Sequence, residues 1–224
     1  MKKYYLNGMK DALPIVLGYF PIGIAFGVLA SNTGISPIGV LFISLVLFAG
    51  SAQFITVSLL ASLTSGISII ATIFVVNFRH FLMSSAYSKY FKYDKWTSLA
   101  FLSYFVTDES FAIGINKAKY ENEQFNKEYL LGVELTGYFS WAFFTTLGAF
   151  MGNYIADFEK FGLDFALPAM FIGLLALLIK TKKDLLVCAL SGVLAVYLST
   201  THLSDYSIII SAVLVALFLG GKHD

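Results

Sequence analysis

ISIIATIFVVNFRHFLMSSAY, residues Ile67 to Tyr87, is an apolar run that carries the chain's only arginine, Arg79, in its interior. A guanidinium cannot shed its proton to escape the cost of leaving water. Ionisable residues at membrane depth are rare, and by default they mark functional sites.

The surrounding composition makes this a membrane reading. Hydrophobic residues are 58% of the chain and charged residues 13%, and mean hydropathy is +0.77, well outside the range of soluble globular domains. A net charge of +1 carries no bias toward nucleic acid, and 22 Phe and 13 Tyr suit lipid contact and interfacial belts better than base stacking. The single cysteine, Cys188, cannot form an internal disulfide and lies in an apolar segment.

A span needs about 20 apolar residues to cross about 30 Å of hydrocarbon. By that measure the chain offers eight segments, roughly 12–30, 38–62, 66–87, 97–115, 129–151, 163–179, 184–200 and 205–221. The first follows Lys2, Lys3 and Lys10 but contains Pro14, Pro21 and several glycines, so it reads as an uncleaved span rather than a signal peptide. The expectation is one all-α, polytopic transmembrane domain over residues 1–224, with seven to eight membrane segments. Loop lysines set orientation. Lys2, Lys3, Lys10, Lys180, Lys182 and Lys183 belong in the cytoplasm, and Asp157, Glu159 and Asp164 mark an outer loop. Eight crossings would then put Lys89, Lys92 and Lys95 outside, against the rule. Either the rule fails there, or an early segment dips in without crossing. The weakly helical patch Ala49-Gly50-Ser51-Ala52-Gln53 makes the second segment the candidate.

Gly18-Tyr19-Phe20 recurs as Gly137-Tyr138-Phe139, and the pattern from Phe48 to Ile55 recurs from Phe165 to Ile172, at offsets of 119 and 117. A candidate internal repeat follows. Its halves are parallel with eight crossings and inverted with one non-crossing segment. Helix breakers fall at Pro14 and Pro21, at Gly50-Ser51 and at Pro168, and interrupted helices in matching positions point to a transporter binding site. Taken singly, each also suits close helix packing.

Thr107-Asp108-Glu109-Ser110 is the second polar cluster. If segments three and four form an antiparallel hairpin, Arg79 and Asp108 lie about 14 and about 18 Å from its loop. A buried arginine beside a carboxylate costs far less than either alone. One base and two acids, with neutral polar neighbours, suit a zwitterion: Arg79 as a fork for a carboxylate, an acid as counter-charge for an ammonium. The substrate-binding candidates are Arg79, Asp108, Asn77, Gln53, Ser51, Gly50, Thr107 and Pro168. The proton-coupling candidates are Glu109 and His80, with Asp108 assigned to Arg79 or the substrate. On a regular helix Asn77 and Arg79 point about 200° apart, so the helix breaks there or only part of the motif faces the solute. Glu134 reads as interfacial and snorkelling. No metal or cofactor is expected.

Pro14-x(6)-Pro21-x-Gly23-x-x-Phe26-Gly27, Phe48-Ala49-Gly50-Ser51-Ala52-Gln53-Phe54, Asn77-Phe78-Arg79-His80, Thr107-Asp108-Glu109-x-Phe111 and the stretch from Leu163 to Phe171 together resemble the AzlC-type large subunit of branched-chain amino acid exporters. The resemblance runs through nearly the whole chain. It implies a bacterial inner-membrane permease of about seven spans that works with a small AzlD-type subunit. Such a permease exports branched-chain amino acids, with methionine and azaleucine as related substrates, driven by the proton motive force. Phe78 stands where the family often has leucine. Read from residues alone, the chain is a carrier or channel for a small charged solute, and charges gathered at one depth favour the carrier. A structural membrane subunit is the alternative. An intramembrane enzyme using Ser51 or Ser84 with His80 lacks the GxGD, GxSG or HExxH patterns.

Overall fold

The computed structural model describes residues 2–91, 95–120, 125–152, 172, 175, 176, 179, 181–201 and 207–219. Every regular element among them is an α-helix. The chain forms two units, Met1–Leu174 and Leu175–Asp224. The first holds α1 (Lys2–Asp11), α2 (Leu13–Asn32), α3 (Pro37–Val46), α4 (Gly50–Ala61), α5 (Gly66–Ser88), α6 (Trp96–Phe105), α7 (Asp108–Tyr120) and α8 (Lys127–Met151). The second holds α9 (Lys182–Ser199) and α10 (Ser207–Leu219), packed on each other. A Thr181/Asp184 capping box starts α9. Pro168, Asp164 and the repeat word from Phe165 lie outside the described residues.

The frame of the first unit is α1 and α2 laid along α8. Gly8 meets Tyr129, Gly23 meets Phe144, Gly27 meets Gly148 and Gly152 meets Ser31. Each pair is 121 residues apart, so the helices run in the same direction. Glycine is required at the closest approach: a Cβ on Gly27 would collide with the Thr145 carbonyl, and one on Gly148 with the Ile24 carbonyl. Pro21 is carried inside α2 without a break, so the expected interruption of the first span does not occur. Among the described helices, α2 and α5 are both long and apolar enough to cross a membrane. α5 exposes Ile67, Ile70, Phe74, Phe78 and Phe81, a surface suited to lipid.

Two of the expected spans fold back on themselves. Segment 38–62 is two short helices of 10 and 12 residues, each at most about 18 Å long and too short to cross. α3 begins beside the α2 and α8 ends, with Val40 against Ala30 and Ala149. It then passes Thr145, where Ser44 shares a 2.9 Å hydroxyl bond, and arrives at Tyr138, against which Phe48 packs edge-on. α4 returns: Gly50 lies beside Trp141, Phe54 reaches Phe26, and Val57 rejoins the cluster of Val40 and Ala30. The turn is at Leu47–Ala49, just before the Gly50-Ser51 breaker.

α5 then runs the whole depth of the unit. Arg79 lies level with Ser51, and Tyr87 reaches the level of Gly114 and Leu130 near the start of α8. Segment 97–115 is the second hairpin, entering from that opposite end. Phe105 at the tip of α6 packs edge-on against Tyr138, as Phe48 does, both at 5.0 Å between centroids. α7 descends again past Gly114 to Lys117, which pairs with Asp11. Lys89 and Lys95 therefore share an end with the N-terminal lysines, which removes the conflict with the loop-charge rule. One full crossing, α5, separates α2 from α8, and that odd number makes them parallel.

The two tips carry related words, Phe48-Ala49-Gly50-Ser51-Ala52-Gln53-Phe54 and Phe105-Val106-Thr107-Asp108-Glu109-Ser110-Phe111, 57 residues apart. A hairpin followed by a long helix thus occurs twice, α3–α4–α5 and α6–α7–α8, in opposite orientations.

Candidate functional site

Both hairpins leave backbone groups that a low-dielectric surrounding would punish unless paired. The last carbonyls of α3 are answered by tyrosines: Tyr138 donates to the Leu45 carbonyl at 2.9 Å, and Tyr104 to the same oxygen at 2.7 Å. Gln53 locks the first tip. Its Nε2 donates to the carbonyl of Leu47 at 2.7 Å, and its Oε1 accepts from Trp141 Nε1 at 2.8 Å. Its amide is thus committed to the hairpin rather than to the cavity, unlike the sequence expectation. The second tip caps itself: Thr107 N donates to Ser110 Oγ at 2.9 Å and Ser110 N to Thr107 Oγ1 at 3.3 Å.

The N-termini of α4 and α7 converge on one enclosed cavity with Arg79 beside it. It is lined by Tyr19, Phe48, Gly50, Ser51, Trp141, Arg79, His80, Thr107, Asp108 and Glu109 among others. Arg79 bridges the tips: Nη1 pairs with Asp108 of α7, and Nη2 donates to Ser51 Oγ of α4 at 2.7 Å. Asp108 and Glu109 point apart, as adjacent helical residues must. Glu109 is buried and accepts from the Tyr19 hydroxyl at 2.8 Å, with Thr107 Oγ1 3.2 Å from the same hydroxyl.

The two helix ends differ in charge. α7 carries its own carboxylates in its first turn. α4 has no acid there and no side-chain cap, so its first amides remain available to an anion. One end suits an ammonium and the other a carboxylate, with Phe48, Tyr19 and Trp141 supplying apolar wall. The cavity volume is about 20 Å³, room for a single water and far below the ~300–1,000 Å³ of ligand pockets. His80 also lines a wider cleft of about 500 Å³ between α5 and α6, with Ser84, Ser85, Ser88 and Ser103.

Arg79, Asp108, Ser51, Gly50, Thr107, Glu109 and His80 are therefore brought together. Asn77 is not: α5 is unbroken from Gly66 to Ser88, and Asn77 turns to an apolar groove lined by Leu47, Thr56 and Ile73. Glu134 does not snorkel, being 1% exposed. Tyr19 and Trp141 were missed by the sequence reading, although Tyr19 stands in the repeated Gly-Tyr-Phe word. The 57-residue repeat was hidden because only its two phenylalanines are identical. Among the described residues no group of His, Cys, Asp and Glu could hold a metal.

The family model described as AzlC protein matches residues 14–155. The chain is 32% identical over 196 residues to the inner membrane protein YgaZ of Escherichia coli (strain K12), covering 85% of this chain and 80% of that protein. It is 32% identical over 222 residues to an uncharacterized membrane protein of Archaeoglobus fulgidus, covering 96% and 94%. It is 28% identical over 169 residues to the branched-chain amino acid transport protein AzlC of Bacillus subtilis (strain 168), covering 75% and 65%. No solved structure matches it. With the family model over more than half its length and membrane proteins as its relatives, the chain belongs to the AzlC family of membrane proteins.

Proposed function

We propose that the protein is the large subunit of a two-component secondary transporter in the bacterial inner membrane. It exports branched-chain amino acids, with methionine as a related substrate, in exchange for protons, and works with a small AzlD-type membrane subunit. The observation that carries this reading is Arg79 bridging two oppositely entering hairpins at Ser51 and Asp108. A substrate carboxylate competes with Asp108 for the Arg79 fork and takes the free amides of the α4 end. The ammonium takes Asp108, and the branched side chain packs on Phe48 and Trp141.

The small cavity corresponds to a closed state. Substrate enters from the cytoplasmic side along the largely apolar cleft between α5 and α6, past His80, and leaves outward when the α3–α4 hairpin shifts. Glu109, hydrogen-bonded to Tyr19 and not to the ion pair, is the group that exchanges a proton with the site. Counterflow of radiolabelled amino acids in reconstituted vesicles, with and without the small subunit, tests this. Leucine, isoleucine, valine and methionine should exchange with both subunits present. Exchange restricted to an unrelated solute class, or none with any amino acid, would refute it.

A further inference from the structure

Glu134 is 1% exposed, and both of its carboxyl oxygens are buried without a hydrogen-bond partner. It is the one carboxylate among the described residues in that position. Several titratable groups on the surrounding elements are hydrogen-bonded elsewhere, whereas His80 of α5 keeps a buried Nε2 without a partner and α1, laid along α8, also carries Tyr4, Tyr5 and Lys10. Tyr87 of α5 donates toward the Ser110 and Phe111 carbonyls, and Tyr19 of α2 toward Glu109. Tyr104 of α6 and Tyr138 of α8 serve the end of α3. Tyr129 donates to Asp11 of α1, which also pairs with Lys117 of α7. α3 carries no titratable residue.

An ionised carboxylate so placed would cost several kcal/mol with nothing to offset it. The group therefore holds a proton in this conformation. Its position along α8 is intermediate. Lys127 at the cytoplasmic end lies seven residues before it and Trp141 at the central cavity seven after, about 10 Å each way at helical rise.

We propose that Glu134 is the inner station of the proton path, receiving the proton that Glu109 releases and passing it to the cytoplasm when the α6–α7 hairpin moves and admits water. The proposal rests on the proton-coupled carrier reading above. Transfer conserves the proton: Glu109 returns to carboxylate as Glu134 becomes the acid, and Glu134 returns to carboxylate on release to water.

The test compares the unmodified protein with Glu134→Gln in vesicles, reading leucine counterflow and leucine accumulation driven by an imposed pH gradient, together with melting temperature and infrared spectra. Glutamine is the neutral isostere of the protonated acid, so Glu134→Gln should melt within a few degrees of the parent and keep counterflow. Gradient-driven accumulation should fall at least tenfold, and the band of a protonated carboxyl should be lost. Undiminished gradient-driven accumulation in Glu134→Gln overturns the proposal and leaves the carrier reading standing. So does failure of the glutamine variant to fold, or absence of the infrared band from the unmodified protein at neutral pH. Counterflow without gradient-driven accumulation in the unmodified protein overturns proton coupling and this proposal together. Absence of both activities in the unmodified protein refutes the carrier reading and overturns this proposal with it.

Discussion

Arg79→Lys separates the fork from the charge. In the structure Nη1 holds Asp108 on α7 while Nη2 holds Ser51 on α4. A lysine ammonium is a point charge on a flexible stem and cannot present two parallel donors in a fixed plane. It keeps the pairing with Asp108, so the fold survives, but gives up the bond to Ser51 and the bidentate grip on a carboxylate. One hydrogen bond to a charged group contributes about 1.5–3 kcal/mol. With tenfold per ~1.4 kcal/mol, leucine affinity should fall by roughly tenfold to about 100-fold. The assay is labelled-leucine counterflow over a range of concentrations, with melting temperature in detergent as the control for folding. A stable Arg79→Lys protein with unchanged half-saturation and rate would remove Arg79 from carboxylate binding and leave it as a tie between hairpins.

Asp108→Asn should leave Arg79 without its counter-charge and cost about 3 kcal/mol, the lower end for a broken buried pair, because both side chains keep 26% exposure. Chemical unfolding checks it, and the Arg79→Ala/Asp108→Asn double variant should regain part of the loss. Gly27→Ala should destabilise by about 1–3 kcal/mol through overpacking, since its new Cβ meets the α8 backbone. Gly18→Ala, with open space at its Cβ, should be close to neutral in the same melt. In a Cys188→Ser background, Lys95→Cys should react with an impermeant thiol reagent only from the cytoplasmic face, and Leu63→Cys only from the outside. Labelling of Lys95→Cys from outside would mean that segment 38–62 crosses the membrane.

The membrane class and the ion pair were legible because they rest on one-dimensional facts: apolar length, and a charge that must find a partner at its own depth. Arg79 and Asp108 could be matched by counting residues from the loop between them. The hairpins were half legible. Lys89, Lys92 and Lys95 argued that one early segment does not cross, and the Gly50-Ser51 patch marked where it turns. That segment 97–115 also turns was hidden, because Phe105-Val106-Thr107 contains no glycine or proline. Its break is made instead by the reciprocal Thr107/Ser110 cap and by Tyr138 receiving Phe105, contacts that exist only after folding. Pro21 misled in the other direction, since neighbouring helices can support a proline inside a membrane span. Gln53 looked like a ligand for the same reason that it became a lock: a buried amide must satisfy four hydrogen bonds somewhere, and the tip of its own hairpin was nearer than any solute.

The central claim is that an amino acid binds where the two hairpin tips meet. A structure of the protein together with the proposed small subunit and bound leucine tests it most directly. The carboxylate should lie on Arg79 and the amides of Gly50 and Ser51, the ammonium on Asp108, and the side chain against Phe48 and Trp141, with the Arg79–Asp108 pair opened. Leucine seated elsewhere, with that pair closed as it is here, would contradict the account.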